Sequence, residues 1–205
     1  MIMHPSIRRL ALTAASLLLG VVAMAYVSSP DSQGYIRDWV MLAPIPLPEG
    51  GATGDLLLAE QVKGEAALKP KEGDKVKVGG RDLAWKNVTS PTNFFDFNVV
   101  LKSLNDRAAG FMVTYIECEQ DIPEVAISVG SNDQARIYFN GTDIYAFTEA
   151  RPLVLDSEKG KITLKKGVNT IVFKVLNEQN SWQGALRLTD RNGQPLKNIK
   201  VKQAP

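Results

Sequence analysis

The sequence predicts an all-β protein, a sandwich or barrel of many short strands with at most one short helix. Three observations predict it. From residue 94 onward the chain is a succession of runs rich in Val, Ile, Phe, Tyr and Thr: FFDFNVVL, GFMVTYIEC, EVAISVG, ARIYFN, TDIYAF, KITL, NTIVFKVLN and GALRLTD. Turn residues separate these runs at regular intervals, among them Asn105-Asp106, Asp121 to Pro123, Asn140-Gly141, Lys166-Gly167 and Asn192-Gly193. No helical pattern lies between them, so the crossovers that parallel strands require are missing.

The elements follow in chain order. Residues 1–25 have a basic start at Arg8-Arg9, an apolar run from Leu10 and a small-x-small end at Ala23-Met24-Ala25. That is the layout of a secretory signal, with cleavage expected after Ala25. The apolar run is shorter than the ~20 residues that span a bilayer, which favours a cleaved leader over an anchor. Residues 26–35 are turn-rich and read as a tether. Residues 36–205 read as one domain. Its opening, WVMLAPIPLPEGG, carries prolines that suit an extended edge segment and exclude a helix interior. The stretch 54–68 is the single expected helix, capped by Asp55 and ended by Gly64. A strand, a Gly79-Gly80 turn and a second strand leading to Trp85 come next. Asn140-Gly141 is the sharpest local signal, because a two-residue hairpin turn needs positive φ at both positions. Before it, Ile137 and Phe139 share one face while Arg136 and Tyr138 share the other.

Composition excludes several chemistries. The chain has 24 Lys and Arg against 22 Asp and Glu. The leader holds two of the bases and no acid, so the remainder is formally neutral. Nucleic-acid binding needs a basic surplus, and this chain lacks one. The one histidine, His4, lies in the leader. The domain therefore has no imidazole for a Ser-His-Asp triad, a Cys-His pair or a His-ligated zinc. Its one cysteine, Cys118, can form no intrachain disulfide. Period-two spacing places Cys118 with Met112 and Ile116, which predicts a buried structural thiol. The opposite residues, Val113 and Tyr115, are apolar too. Carboxylates, Lys, Tyr and Ser remain for chemistry, and Asp, Asn and backbone carbonyls leave an oxygen-ligated structural calcium ion compatible with the composition.

Several residues carry a family resemblance. Gly130-Ser131-Asn132-Asp133, Phe139-Asn140-Gly141, Leu164-Lys165-Lys166-Gly167-Val168-Asn169, Trp182, Arg187 and Asp190 resemble the pattern of galactose-binding-like jelly-roll domains of secreted bacterial proteins. The sugar-binding domain of β-galactosidase-type glycoside hydrolases is one such relative. WVMLAPIP and GGRDLAWKNV resemble the opening and an early Trp-bearing strand of the same domains. The likeness runs over about residues 36–200. It implies a jelly-roll sandwich and carbohydrate binding. Asn132 stands where the pattern has the first of two aspartates, and Ala43 where it has Gly. The first change removes a charge from the corner and weakens a carboxylate-based contact to calcium or sugar.

The candidate site residues are Asn132, Asp133, Trp182, Arg136 and Tyr145. Ser131-Asn132-Asp133 is either a polar rim loop that bonds a sugar or an Asx-type corner that satisfies local backbone. Trp182, at a loop end, is either a stacking platform for a pyranose or a core aromatic. Arg136, Tyr138, Tyr145 and Arg151 either bind hydroxyls or form a solvated sheet face. If sugar binds, Trp182 and the corner are expected to meet at one rim. No stretch singles out a catalytic carboxylate pair. The expected function is that of an exported, periplasmic or extracellular, non-catalytic carbohydrate-binding module. It acts alone or as an accessory to a catalytic partner protein, with a glycan as ligand. The alternatives are a protein-interaction domain of the cell envelope and a component of a glycoside hydrolase.

Overall fold

Short alternating runs cannot each bury a face alone, and they solve this by pairing into sheets that stack. The computed structural model describes residues 27–205. The expected leader 1–25, with His4, lies outside the described residues. In chain order the strands are β1 (Val27–Ser28), β2 (Asp38–Pro46), β3 (Lys75–Val78), β4 (Arg81–Ala84), β5 (Lys86–Thr89), β6 (Phe95–Asp96), β7 (Ala108–Cys118), β8 (Ile122–Ser131), β9 (Ala135–Phe139), β10 (Thr142–Phe147), β11 (Glu158–Leu164), β12 (Gly167–Asn177), β13 (Gln183–Thr189) and β14 (Ile199–Lys202). The helices are α1 (Thr53–Leu58) and α2 (Phe97–Leu101). No described helix is long and apolar enough to cross a membrane.

All pairings between named strands are antiparallel. The larger sheet runs β1-β14-β7-β12-β9-β10, and the smaller runs β11-β8-β13-β6. β7 is long enough to share one edge between two partners: β2 along its first half and β14 along its second. Between the sheets lies the main core, with Met112, Ile116, Ile137, Ile171 and Phe173 from one side and Val125, Ile127, Val129, Leu186 and Leu188 from the other.

The larger sheet is covered on its other face too. Val40, Leu42, Phe111, Val113, Tyr115, Tyr138 and Val172 pack there against Leu57, Val62 and Trp85. The layer above them is made by α1, the turn after it and the β3–β4 region. A strand buried on both faces reads as a continuous apolar run. That is why β7 is apolar on both of its faces, with Val113 and Tyr115 opposite Met112, Ile116 and Cys118. Cys118 itself is buried, its Sγ donates to the carbonyl of Lys165 at 3.1 Å, and burial raises its pKa.

The Asn140-Gly141 hairpin forms as expected, with φ of 49° and 86°. Its register shifts between Asp143 and Tyr145, a bulge at Ile144. Three elements differ from expectation. The stretch 54–68 is not one helix. α1 ends at Leu58, Ala59 turns extended, and Gly64 with φ of 71° opens a separate 3₁₀ turn at Glu65–Ala67. The α1 N-cap is Ala52, without a side-chain hydrogen bond, so Asp55 does not cap it. The second difference is FFDFNVVL, which forms two strand residues and then helix α2. Asp96 caps that helix by accepting the Val99 N–H at 3.1 Å. Phe97, Val100 and Leu101 then fall at helical spacing toward the core. The third is the segment 27–35, read as a tether. Val27–Ser28 pairs with β14, and Asp31 Oδ1 closes a turn on the N–H groups of Gln33 and Tyr35, which seats Tyr35 in the core.

Candidate functional site

One rim of the sandwich gathers the links β8–β9, β12–β13 and α2–β7, the start of α1 and the exit of β10. The β8–β9 corner is built from Ser131, Asn132 and Asp133. Ser131 is fully buried and its hydroxyl donates to the Asp133 carbonyl at 2.9 Å. The Asn132 N–H donates to the Gln183 carbonyl at 2.9 Å, and its Nδ2 donates to the Arg151 carbonyl at 3.2 Å. Asp133 sits in the left-handed region at φ 58°. Its N–H donates to the Arg151 carbonyl at 2.9 Å, and its Oδ2 accepts the Glu178 N–H at 2.8 Å. Burial raises its pKa. Ser131-Asn132-Asp133 is thus a corner that ties β8 to residues 151, 178 and 183.

What the corner positions is the next residue. Gln134 is 1% exposed. Its Nε2 donates to Glu178 Oε1 at 2.6 Å and to Thr53 Oγ1 at 3.0 Å. The Thr53 hydroxyl in turn donates to the same Glu178 oxygen. These hydrogen bonds, from Thr53 first and then Gln134, hold the Glu178 pKa below its ordinary value, and Arg107 adds to them. Gln134 Oε1 has no partner among the described residues. An orphaned buried acceptor costs free energy and needs an explanation.

Thr53, Gln134 and Glu178 line an open groove of about 630 Å³. Its other walls include Gly54, Asp55, Thr148, Glu149 and Arg107. Gly54 brings α1 so close to the Thr148 carbonyl that a Cβ there would lie 2.7 Å from the oxygen. The Arg107 Nη2 donates to the Pro48 and Gly50 carbonyls at 2.8 and 3.0 Å, which anchors the loop before α1.

The five predicted site residues do not form one site. Asn132 and Asp133 lie behind the groove and shape it. Trp182 is not a stacking platform. It is fully buried, stacked on Phe97 at 4.2 Å between ring centroids, and its Nε1 donates to the Val175 carbonyl at 3.2 Å. A ring packed this way has no face left for a pyranose. Its neighbour Gln183 does meet the corner, so the two segments share a rim while the indole points inward. Arg136 is not on a solvated face. It stands over the covered side of β9, donating to Asp143 Oδ2 at 2.7 Å and to the Leu58 carbonyl at 2.9 Å. Tyr138, on the same face, donates to Glu65 Oε1 at 2.6 Å. Tyr145 is half-buried at the far edge, where its hydroxyl accepts from Arg151 at 2.7 Å. Arg151 also pairs with Glu158 at 3.0 Å and lies 3.6 Å over the Phe147 ring.

Sequence reasoning missed Gln134, Thr53, Glu178 and Lys174. Lys174 is fully buried in β12, where its ammonium donates to the Leu57 and Ala59 carbonyls and to both oxygens of Glu65 at 2.7 to 3.1 Å. The available signal was positional. Gln134 shares the β9 face of Arg136 and Tyr138 at period two, and Lys174 interrupts an apolar run. Among the described residues no group of three or more His, Cys, Asp or Glu could hold a metal ion.

No protein-family model matches the chain, and no curated protein matches it. Among solved structures it is similar to the PA14 domain of the MpAFP antifreeze protein, at 10% identity over 81% of this chain and 87% of that one, with a TM-score of 0.42. It is also similar to the PA14 sugar-binding domain from an RTX adhesin, at 10% identity over 77% of this chain and 92% of that one, with a TM-score of 0.41. The GH31 α-xylosidase of Xanthomonas citri matches at 13% identity over 88% of this chain and 18% of that one, with a TM-score of 0.41.

Proposed function

We propose that the chain is an exported, non-catalytic carbohydrate-binding domain of galactose-binding-like type, and that the rim groove is its binding site. The observation that carries this reading is Gln134, a buried amide in the groove lining, fixed by its donations to Thr53 and Glu178. Amide, hydroxyl and carboxylate groups held rigidly by their own partners are what a hydroxyl-rich ligand requires for orientation. Glu178 stays ionised because Thr53 and Gln134 donate to it, which unfits it to act as a general acid. Asp133, whose pKa is raised, spends Oδ2 on a backbone N–H and does not line the groove. A binding role therefore suits these carboxyls better than a glycosidase pair.

A second reading has its own observation. Val99 and Leu104 are 63% and 75% exposed beside the same rim loop. Apolar exposure there favours a protein contact. A glycan array decides between the two. The full chain is applied beside Ala150→Trp, which places a large ring on an exposed groove wall without touching the core. The sugar reading expects a defined set of glycans bound by the wild type and lost in Ala150→Trp at an unchanged melting temperature. A blank array from natively melting protein rejects it.

A further inference from the structure

Resting on the sugar-binding reading of the groove, we propose that its preferred ligand is an amino sugar bearing a free, protonated amine. The groove is acidic on balance. Asp55, Glu149 and Glu178 are its acids, and Arg107 is its one base. Arg107 Nη2 donates to the Pro48 and Gly50 carbonyls, and its charge stays near Glu178, so the acids of the groove outnumber its bases three to one.

Glu178 is ionised, and its two oxygens differ. Oε1 accepts from both Gln134 and Thr53, whereas Oε2 accepts from no described group. The same Gln134 that donates to Oε1 has its own Oε1 buried and without a partner among the described residues. A neutral sugar hydroxyl answers one acceptor with one donor. An ammonium answers several with three donors and a full charge. A uronic acid would set its carboxylate against three others.

The amine therefore decides affinity. A charged hydrogen bond contributes more than a neutral one by an amount worth about tenfold in affinity. The test is calorimetric titration of the full chain with a glucosamine tetramer, its N-acetylated counterpart and a galacturonate tetramer. Each is measured at about pH 6, below an amine pKa of roughly 8, and at about pH 9. The inference expects the free-amine tetramer to bind about tenfold more tightly than the acetylated one at the lower pH. It expects that preference to vanish at the higher pH and in Glu178→Gln. If Glu178→Gln fails to fold, Glu149→Gln on the exposed wall is expected to halve the preference or more. Equal affinity for acetylated and free-amine tetramers, both blocked by Ala150→Trp, overturns the inference and leaves the sugar reading standing. No binding of any tetramer by natively melting protein overturns the inference, and the array then decides the sugar reading.

Discussion

At the scale of single residues, the orientation of Trp182 separates a sugar platform from a core. Gly110 fixes that orientation. A Cβ at Gly110 would lie 2.4 Å from Phe97 and 2.7 Å from Trp182, so the β7 backbone itself forms the surface on which the two rings stack. Trp182→Ala is expected to lose about 3–5 kcal/mol in denaturant titration, and Gly110→Ala about 1–3 kcal/mol by forcing both rings aside. A Trp182→Ala variant as stable as the wild type would contradict the packing described. The loop-end position of Trp182 was legible in the sequence. Its direction was not, because that depends on a glycine on another strand. Glu178 supplies a second residue-scale test. Its pKa is depressed in the fold, so its hydrogen bonds contribute stability above the ordinary carboxylate range. That contribution is lost as pH falls through the depressed value. An NMR titration of Glu178 is expected to show a midpoint below that of an ordinary glutamate, and Thr53→Val is expected to move it upward.

At the scale of elements, the segment 53–67 is held down by a charge. Lys174 takes the Leu57 and Ala59 carbonyls at the end of α1, groups a helix C-terminus leaves unmatched. It also pairs with Glu65, which receives the Tyr138 hydroxyl and the Gln61 N–H. Burial lowers the Lys174 pKa, and the Glu65 carboxylate opposes that shift. This clasp explains why 54–68 is not one helix. A continued helix would bury the Leu57 and Ala59 carbonyls in its own ladder and leave the ammonium unmatched. Sequence periodicity sees only local spacing, so an ion 109 to 117 residues away in the chain was invisible to it. Removing one partner leaves the other charge buried, which costs about 3–5 kcal/mol. Lys174→Ala is therefore expected to lose that much in urea unfolding, and to speed hydrogen exchange across 53–67. The double variant Lys174→Met with Glu65→Leu is expected to recover only part of it, because the Leu57 and Ala59 carbonyls and the Tyr138 hydroxyl then lose their partners. If the single variant is neutral, the clasp does not hold the segment.

At the scale of the whole molecule, the larger sheet has two cores, one against the smaller sheet and one beneath the α1 layer. The all-β class, the hairpin at Asn140-Gly141 and the burial of Cys118 were legible, because turn chemistry and period two act locally. The second core was visible only as a doubled apolar pattern around Cys118. Rapid labelling of native Cys118 by a thiol reagent would contradict its burial; labelling limited by unfolding is expected. The groove arises where five chain segments meet at one rim, and no single motif encodes such a meeting. Its central role is tested most directly by a heteronuclear NMR titration of the full chain with a sugar retained on the array. Amide shifts are expected to concentrate at Thr53, Gly54, Gln134, Thr148 and Glu178, to saturate together and to be absent in Ala150→Trp. Shifts centred instead on Tyr145, Arg151 and the β10–β11 edge, with the groove unmoved, would contradict it.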